Sequence, residues 1–199
     1  MTLGSELGPL AALQGEWEGA EGLDVAFSNV RGVIADTPFR ERTTFSPFGP
    51  VENGTQVLYG LDYRTAAWRD GEENPFHTEV GYWLWDAADG QVMRCFMVPR
   101  GTLVLAGGSA AAGDKVIHMS AEVGSETYGI LSNRVLASMA RTIGYTLTLA
   151  IGDGTFSYDE STTIEHARQP NPIVHTDRNT LHRVGDAGPQ GEVSLHGPD

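Results

Sequence analysis

Cysteine is almost absent from this chain of 199 residues: Cys95 stands alone. No intramolecular disulfide can form, and no cysteine-based zinc site can be built. Basic residues are scarce too, with 13 Lys+Arg against 26 Asp+Glu and a formal net charge of −13. No run of Lys or Arg occurs anywhere. Nucleic-acid binding draws its affinity from phosphate neutralisation, and anionic membrane surfaces also ask for basic residues, so neither is an expected partner. No window approaches the ~18 apolar residues of a membrane span. Met1 to Gln14 lacks both the charged start and the apolar stretch of a secretory signal. These absences read as a cytoplasmic protein whose acidity serves solubility. A phosphate-binding glycine loop and a nucleophile elbow are missing as well. Nothing places Ser, His and Asp together as a triad.

Glycine is plentiful, at 25 residues with 10 Pro, which predicts many tight turns and little long helix. Leu7 to Leu13 reads as one or two helical turns. Strand texture follows. Val57, Tyr59, Leu61 and Tyr63 alternate with smaller or polar neighbours, and Gly81 to Trp85 is aromatic-rich. Val92 to Val98 is an apolar run broken only by Arg94. Val116 to Val123, Ile143 to Leu149, Phe156 with Tyr158, and Ile173 to Val184 are further candidates. Many short strands separated by turn signals predict an all-β fold. Leu131, Val135, Leu136 and Met139 fall at helical spacing, with Ser132 as the expected cap. Residues 1–184 read as one barrel domain and 185–199, rich in Gly and Pro, as a disordered extension.

Three segments carry candidate chemistry. Gly15-Glu16-Trp17-Glu18-Gly19 suits the start of a closed barrel, with the indole buried at one end. In Phe76-His77-Thr78-Glu79-Val80-Gly81-Tyr82-Trp83, a strand would put His77, Glu79 and Gly81 on one face. A carboxylate there could orient the imidazole and raise its pKa. Tyr82 alternates to the other face, yet is placed near the same pocket. In Asn171-Pro172-Ile173-Val174-His175-Thr176-Asp177, His175 and Asp177 have a spacing that could bind a metal, but no third ligand sits at a telling distance.

Taken in order, these pieces resemble the nitrobindins, haem-binding β-barrels related in shape to fatty-acid-binding proteins. The resemblance covers Leu7 to Val184. It rests on Gly15-x-Trp17-x-Gly19, Phe76-His77-x-Glu79-x-Gly81-Tyr82, Asp89-Gly90, Arg100-Gly101, Gly154-x-x-Ser157-Tyr158 and Asn171-Pro172-Ile173. It implies a single closed antiparallel barrel of about ten strands with short capping helices, haem b as the cofactor, and a histidine near the C-terminus as the iron ligand. In three places the chain departs from the family: Glu21 stands where a third glycine is expected, with Gly22 one place late; the segment from Ser125 to Arg141 is longer than the family usually has; and the ligand position falls on Thr176, with His175 one residue early. A one-residue slip on a strand changes face, so His175 is expected to point away from the pocket and Thr176 into it. This is the pattern of the ferric nitrobindin-like branch, which lacks the ligand histidine. The expected pocket residues are therefore His77, Glu79, Thr176 and His175, with His175 the only candidate for haem iron. Arg31, Arg40, Arg42 and Arg64 are candidates for a basic entrance facing haem propionates. The resemblance implies non-enzymatic binding of a small apolar or planar ligand such as a fatty acid or porphyrin. The alternative is a haem b protein acting on nitric oxide or isomerising peroxynitrite to nitrate. A side-chain-filled barrel working through a partner is a third reading. The lipocalins, which share Gly-x-Trp, are the alternative fold.

Overall fold

The computed structural model describes residues 4–186. Eleven strands close into one barrel: β1 (Gly15–Ser28), β2 (Val33–Asn53), β3 (Gln56–Arg69), β4 (His77–Asp86), β5 (Gln91–Val98), β6 (Thr102–Ser109), β7 (Val116–Val123), β8 (Gly129–Ser132), β9 (Ala140–Ile151), β10 (Thr155–His166) and β11 (Ile173–Gly185). Their order around the barrel is β1-β11-β10-β9-β7-β8-β6-β5-β4-β3-β2, so the first and last strands seal the wall. The expected closed barrel is present. Its eleventh strand is the four-residue β8, whose pairing with β7 is parallel while every other ladder is antiparallel.

Several elements depart from the sequence reading. β2 is 21 residues long despite Pro38, Pro47 and Pro50. β6 carries Gly107 and Gly108, whose flexibility hid it. At Gly108 a Cβ would meet His118 O at 2.0 Å, so the bare backbone lets β6 and β7 approach. The helix α1 (Arg134–Met139) is capped by Asn133, not Ser132: the Asn133 side chain accepts from the amides of Val135 and Leu136. The extension expected over 185–199 lies outside the described residues from 187 on, and Gly185 itself ends β11.

A 3₁₀ segment over Ser5–Leu13 plugs one end of the barrel. Leu7, Leu10 and Leu13 are fully buried against Trp17, Leu61 and Val92. Trp17 donates its indole N–H to Leu13 O at 2.7 Å and meets the Phe156 ring edge-on at 4.9 Å. The Arg183 guanidinium lies 4.4 Å over the same indole, and its Nη2 reaches Ala12 O at 2.5 Å. The expected burial of Trp17 near one end is therefore met, and that end is filled solid. The lumen is open towards the other end, where Phe45, Trp83 and Phe156 are among the residues that line it.

A bulge in β1 decides what faces that space. Trp17 and Gly19 point inward, and the register against β2 then slips between Gly19 and Gly22. The one extra residue changes the alternation phase, so Gly22 and Asp24 point inward as well. The late glycine is thus a structural device. A Cβ at Gly22 would sit 2.5 Å from the Phe39 ring.

Gly81 on β4 is the tightest backbone approach in the wall, since a Cβ there would lie 1.9 Å from Cys95 O and 2.8 Å from Phe96 Cα. Backbone cannot step aside. Gly81→Ala should therefore destabilise the barrel at or above the ~3 kcal/mol end of overpacking costs. Gly144→Ala, whose Cβ meets nothing nearer than Thr163 at 3.7 Å, should stay within about 1 kcal/mol of the parent. Urea unfolding of both variants checks this, and equal losses would refute the backbone-contact account.

Candidate functional site

The lumen opens at the end opposite the 3₁₀ plug into a small cavity of about 80 Å³. Its lining mixes aromatic residues, Phe39, Phe45, Phe76, Trp83 and Phe156, with acids, Asp24, Glu41, Glu79, Glu160 and Asp177. On β2, β4 and β10 the two kinds alternate along one inner face. Strand alternation places them. His77, Glu79 and Gly81 share the inner face of β4, as the spacing predicted; Trp83 continues that face, and His77 and Glu79 both line the cavity. His77 Nε2 lies 3.1 Å from Glu79 Oε1. Burial works against the His77 charge, but the Glu79 hydrogen bond and charge outweigh it and raise its pKa.

Arg94 binds the two walls together. It is 7% exposed and stands on β5, across the lumen from β10. Its Nη2 donates to Glu79 Oε2 at 2.5 Å and its Nη1 to Glu160 Oε2 at 2.7 Å. Nη1 also donates to the Tyr145 hydroxyl, and Nε to the Tyr63 hydroxyl at 3.2 Å. The Tyr63 and Tyr145 hydroxyls in turn donate to Glu79 Oε2 and Glu160 Oε2, each at 2.9 Å. The guanidinium lies 4.4 Å from the centre of the Phe96 ring and 5.3 Å from that of Trp83. Burial would raise the Glu79 pKa, but the Arg94 charge and the His77 contact hold it at about 2. Burial raises that of Glu160, with Arg94 opposing.

Two further acidic groups complete the lining. Glu41 Oε2 accepts from Tyr158 Oη at 2.8 Å and Asn179 Nδ2 at 3.0 Å, and its Oε1 accepts from Thr65 at 2.8 Å. His175 Nε2 sits 3.0 Å from both Asp24 Oδ1 and Asp177 Oδ2. Burial disfavours the charged imidazole, but the two carboxylates outweigh it and raise its pKa to about 10.

The expected faces of β11 are reversed. His175 and Asp177 line the cavity; Thr176 does not. Asn171-Pro172 lie in the turn before β11, where no two-residue period holds, so counting from them cannot set the phase. The phase is set by pairing: Asp177 faces Asp24 of β1 and Glu160 of β10, while Thr176 faces Val25 and Ser161. Tyr82, also expected near the pocket, is on the outer wall, 48% exposed and packed on Phe48. Arg31, Arg40, Arg42 and Arg64 are absent from the lining, so the expected basic entrance is not formed by them. Arg42 instead pairs with Glu18. Sequence reasoning missed Arg94, Glu41, Glu160 and Asp24 as site residues. Arg94 carried a signal, being the one charge in an apolar strand.

Residues 6–183 match the family described as "THAP4-like, heme-binding beta-barrel domain". The chain belongs to the nitrobindin family. The crystal structure of Rv2717c from M. tuberculosis shares the fold of this nitrobindin, with a TM-score of 0.65 at 20% identity over 92% of this chain and 99% of that chain. No curated protein matches it in sequence.

Haem b is the cofactor the family implies. In this nitrobindin the cavity residues do not fit an iron-ligated haem. Haem iron needs one free imidazole nitrogen, at the ~2 Å of a metal–histidine bond, with the porphyrin plane clear above it. His175 Nε2 instead has a carboxylate oxygen of Asp24 and one of Asp177 each 3.0 Å away, so it is not free. Haem would also bring two propionates to five carboxylates, and the one lining arginine is already shared by two of them.

Arg94→Met leaves Glu79 and Glu160 buried without their cation. It should cost about 3–5 kcal/mol at pH 7. The loss should shrink in acid. In the parent, the depressed Glu79 pKa contributes stability that is complete above 4.5 and lost as pH falls towards about 2. In the variant, burial raises both carboxylate pKa values, so acid stabilises it. Urea unfolding at pH 7 and pH 4 reads the two gaps, and a pH-independent gap would contradict the ion-pair account.

Proposed function

We propose that this nitrobindin binds one small planar molecule in its cavity, without transforming it, and that the molecule is neutral or cationic. The observation that carries this is the mixed lining. Phe39, Phe45, Phe76, Trp83 and Phe156 offer ring-stacking area. Five carboxylates are interleaved with them, and the one lining arginine is held by Glu79 and Glu160. Trp83 adds a buried indole N–H with no protein acceptor, which supports a ligand bearing a hydrogen-bond acceptor. Fatty acids and porphyrin carboxylates would meet like charge there. For the same reason, with the obstructed His175 nitrogen, chemistry on nitric oxide or peroxynitrite at a haem iron is the weaker reading.

Titration of the purified protein by tryptophan fluorescence separates these readings. Acridine orange, a planar cation, should saturate at lower concentration than oleate, and Phe156→Ala should weaken the dye by about 10-fold, as expected for loss of one aromatic contact worth ~1–1.5 kcal/mol. Hemin should give a broad, weak Soret band that His175→Ala leaves unchanged. A sharp, saturable Soret band that collapses in His175→Ala, or oleate binding tighter than the dye, would overturn the proposal.

A further inference from the structure

The strand pairing brings three carboxylates into one row. Asp24 of β1 stands directly opposite Asp177 of β11, and Asp177 directly opposite Glu160 of β10. Like charges facing each other across adjacent strands repel, so such a row calls for cations. Arg94 answers Glu160. Asp24 and Asp177 share the imidazole of His175.

We propose that Asp24, His175 and Asp177 form a binding site for one divalent transition-metal cation on the lumen wall. One donor atom from each lies within 4.8 Å of the other two, and His175 Nε2 is 3.0 Å from each carboxylate. Tetrahedral bonds of about 2.0–2.2 Å, the range for imidazole nitrogen and carboxylate oxygen on zinc, set donors roughly 3.4 Å apart. Shifts of a few tenths of an ångström on the two imidazole–carboxylate edges accommodate the ion, together with closure of the carboxylate–carboxylate edge. A second observation points the same way. Asp24 is only 7% exposed, and its Oδ1 is sealed from solvent with no hydrogen bond. The His175 Nε2 it faces is sealed and without a hydrogen bond too. Neither carboxylate lies in line with the ring N–H, so the proximity of these groups does not satisfy them. Buried polar atoms in that state are rare and costly. A cation between them satisfies every donor at once.

The same contacts that obstruct a haem favour a free ion. Haem iron would use the imidazole alone and strand two carboxylates, whereas a bare ion takes all three groups. Mixed nitrogen and oxygen donors suit zinc and its first-row neighbours more than magnesium or calcium, which prefer all-oxygen shells. Three protein ligands leave a further coordination position, and the cavity that the three residues line supplies space for its occupant.

The test is a zinc titration of untagged, chelator-treated protein by calorimetry, with cobalt absorption as a second readout and no organic ligand present. Failure of the site and failure of the planar-ligand reading are then separate results. One equivalent of zinc should bind and raise the Tm, and cobalt should give the visible bands of a four- or five-coordinate site. Asp24→Asn, His175→Gln and Asp177→Asn should each lose at least ~100-fold in zinc affinity, the upper end of what even outer-shell losses cost. His118→Gln and His182→Gln should leave it unchanged. If Asp24→Asn fails to fold, Asp177→Asn decides. No binding at millimolar zinc, or binding that persists in Asp177→Asn and His175→Gln, would overturn the proposal.

Discussion

The buried guanidinium of Arg94 is the constraint on which the rest of the lumen depends. A charge at 7% exposure is tolerable only when paired and fully hydrogen-bonded. Arg94 meets that condition by reaching from β5 to Glu79 on β4, Tyr63 on β3, Tyr145 on β9 and Glu160 on β10. These strands lie on different sides of the barrel, so the network cross-braces it through the middle. The 3₁₀ plug and Trp17 fill one end of the barrel, and Arg94 itself lines the cavity towards the other.

Because Arg94 is committed to two carboxylates, its positive charge is not free to recruit an anion. The consequences run through the whole lining. Glu79 is held ionised and in turn orients His77 at the mouth. Glu41 is satisfied by neutral donors from Tyr158, Asn179 and Thr65, while Asp24 and Asp177 both stand against the one His175 imidazole. No cation in the lining is left over for an anion. That balance is what sets this chain's chemistry apart from a cavity built to receive propionates, although the barrel is that of a haem-binding family.

Much of this architecture was legible in the chain. Alternation on β4 announced His77, Glu79 and Gly81 as companions on one face, because a regular strand has a strict period of two. The turn signals at Asp89-Gly90 and Gly152-Asp153-Gly154 stand where the hairpins are. Trp17 between glycines marked the closed end. The family motifs, in order, specified the barrel. β2 and β6 were hidden by prolines and glycines whose local preference is against strand, and which the long-range ladders override.

The sequence by itself determined that this is a closed β-barrel, with a filled end at Trp17 and a polar cluster at His77 and Glu79, because those features follow from local periodicity and ordered motifs. Tertiary structure alone decided the face of β11 and the company of Asp24. The phase of β11 is set by partners on β1 and β10, not by the Asn171-Pro172 turn that precedes it. Asp24 points inward only because a bulge at Gly19–Gly22 shifts the alternation counted from Trp17. Its neighbour Asp177 lies far along the chain yet directly opposite it, since sealing the barrel pairs the first strand with the last. Pairing between remote strands leaves no local mark, so residues that only the closure brings together could be found only in the closed barrel.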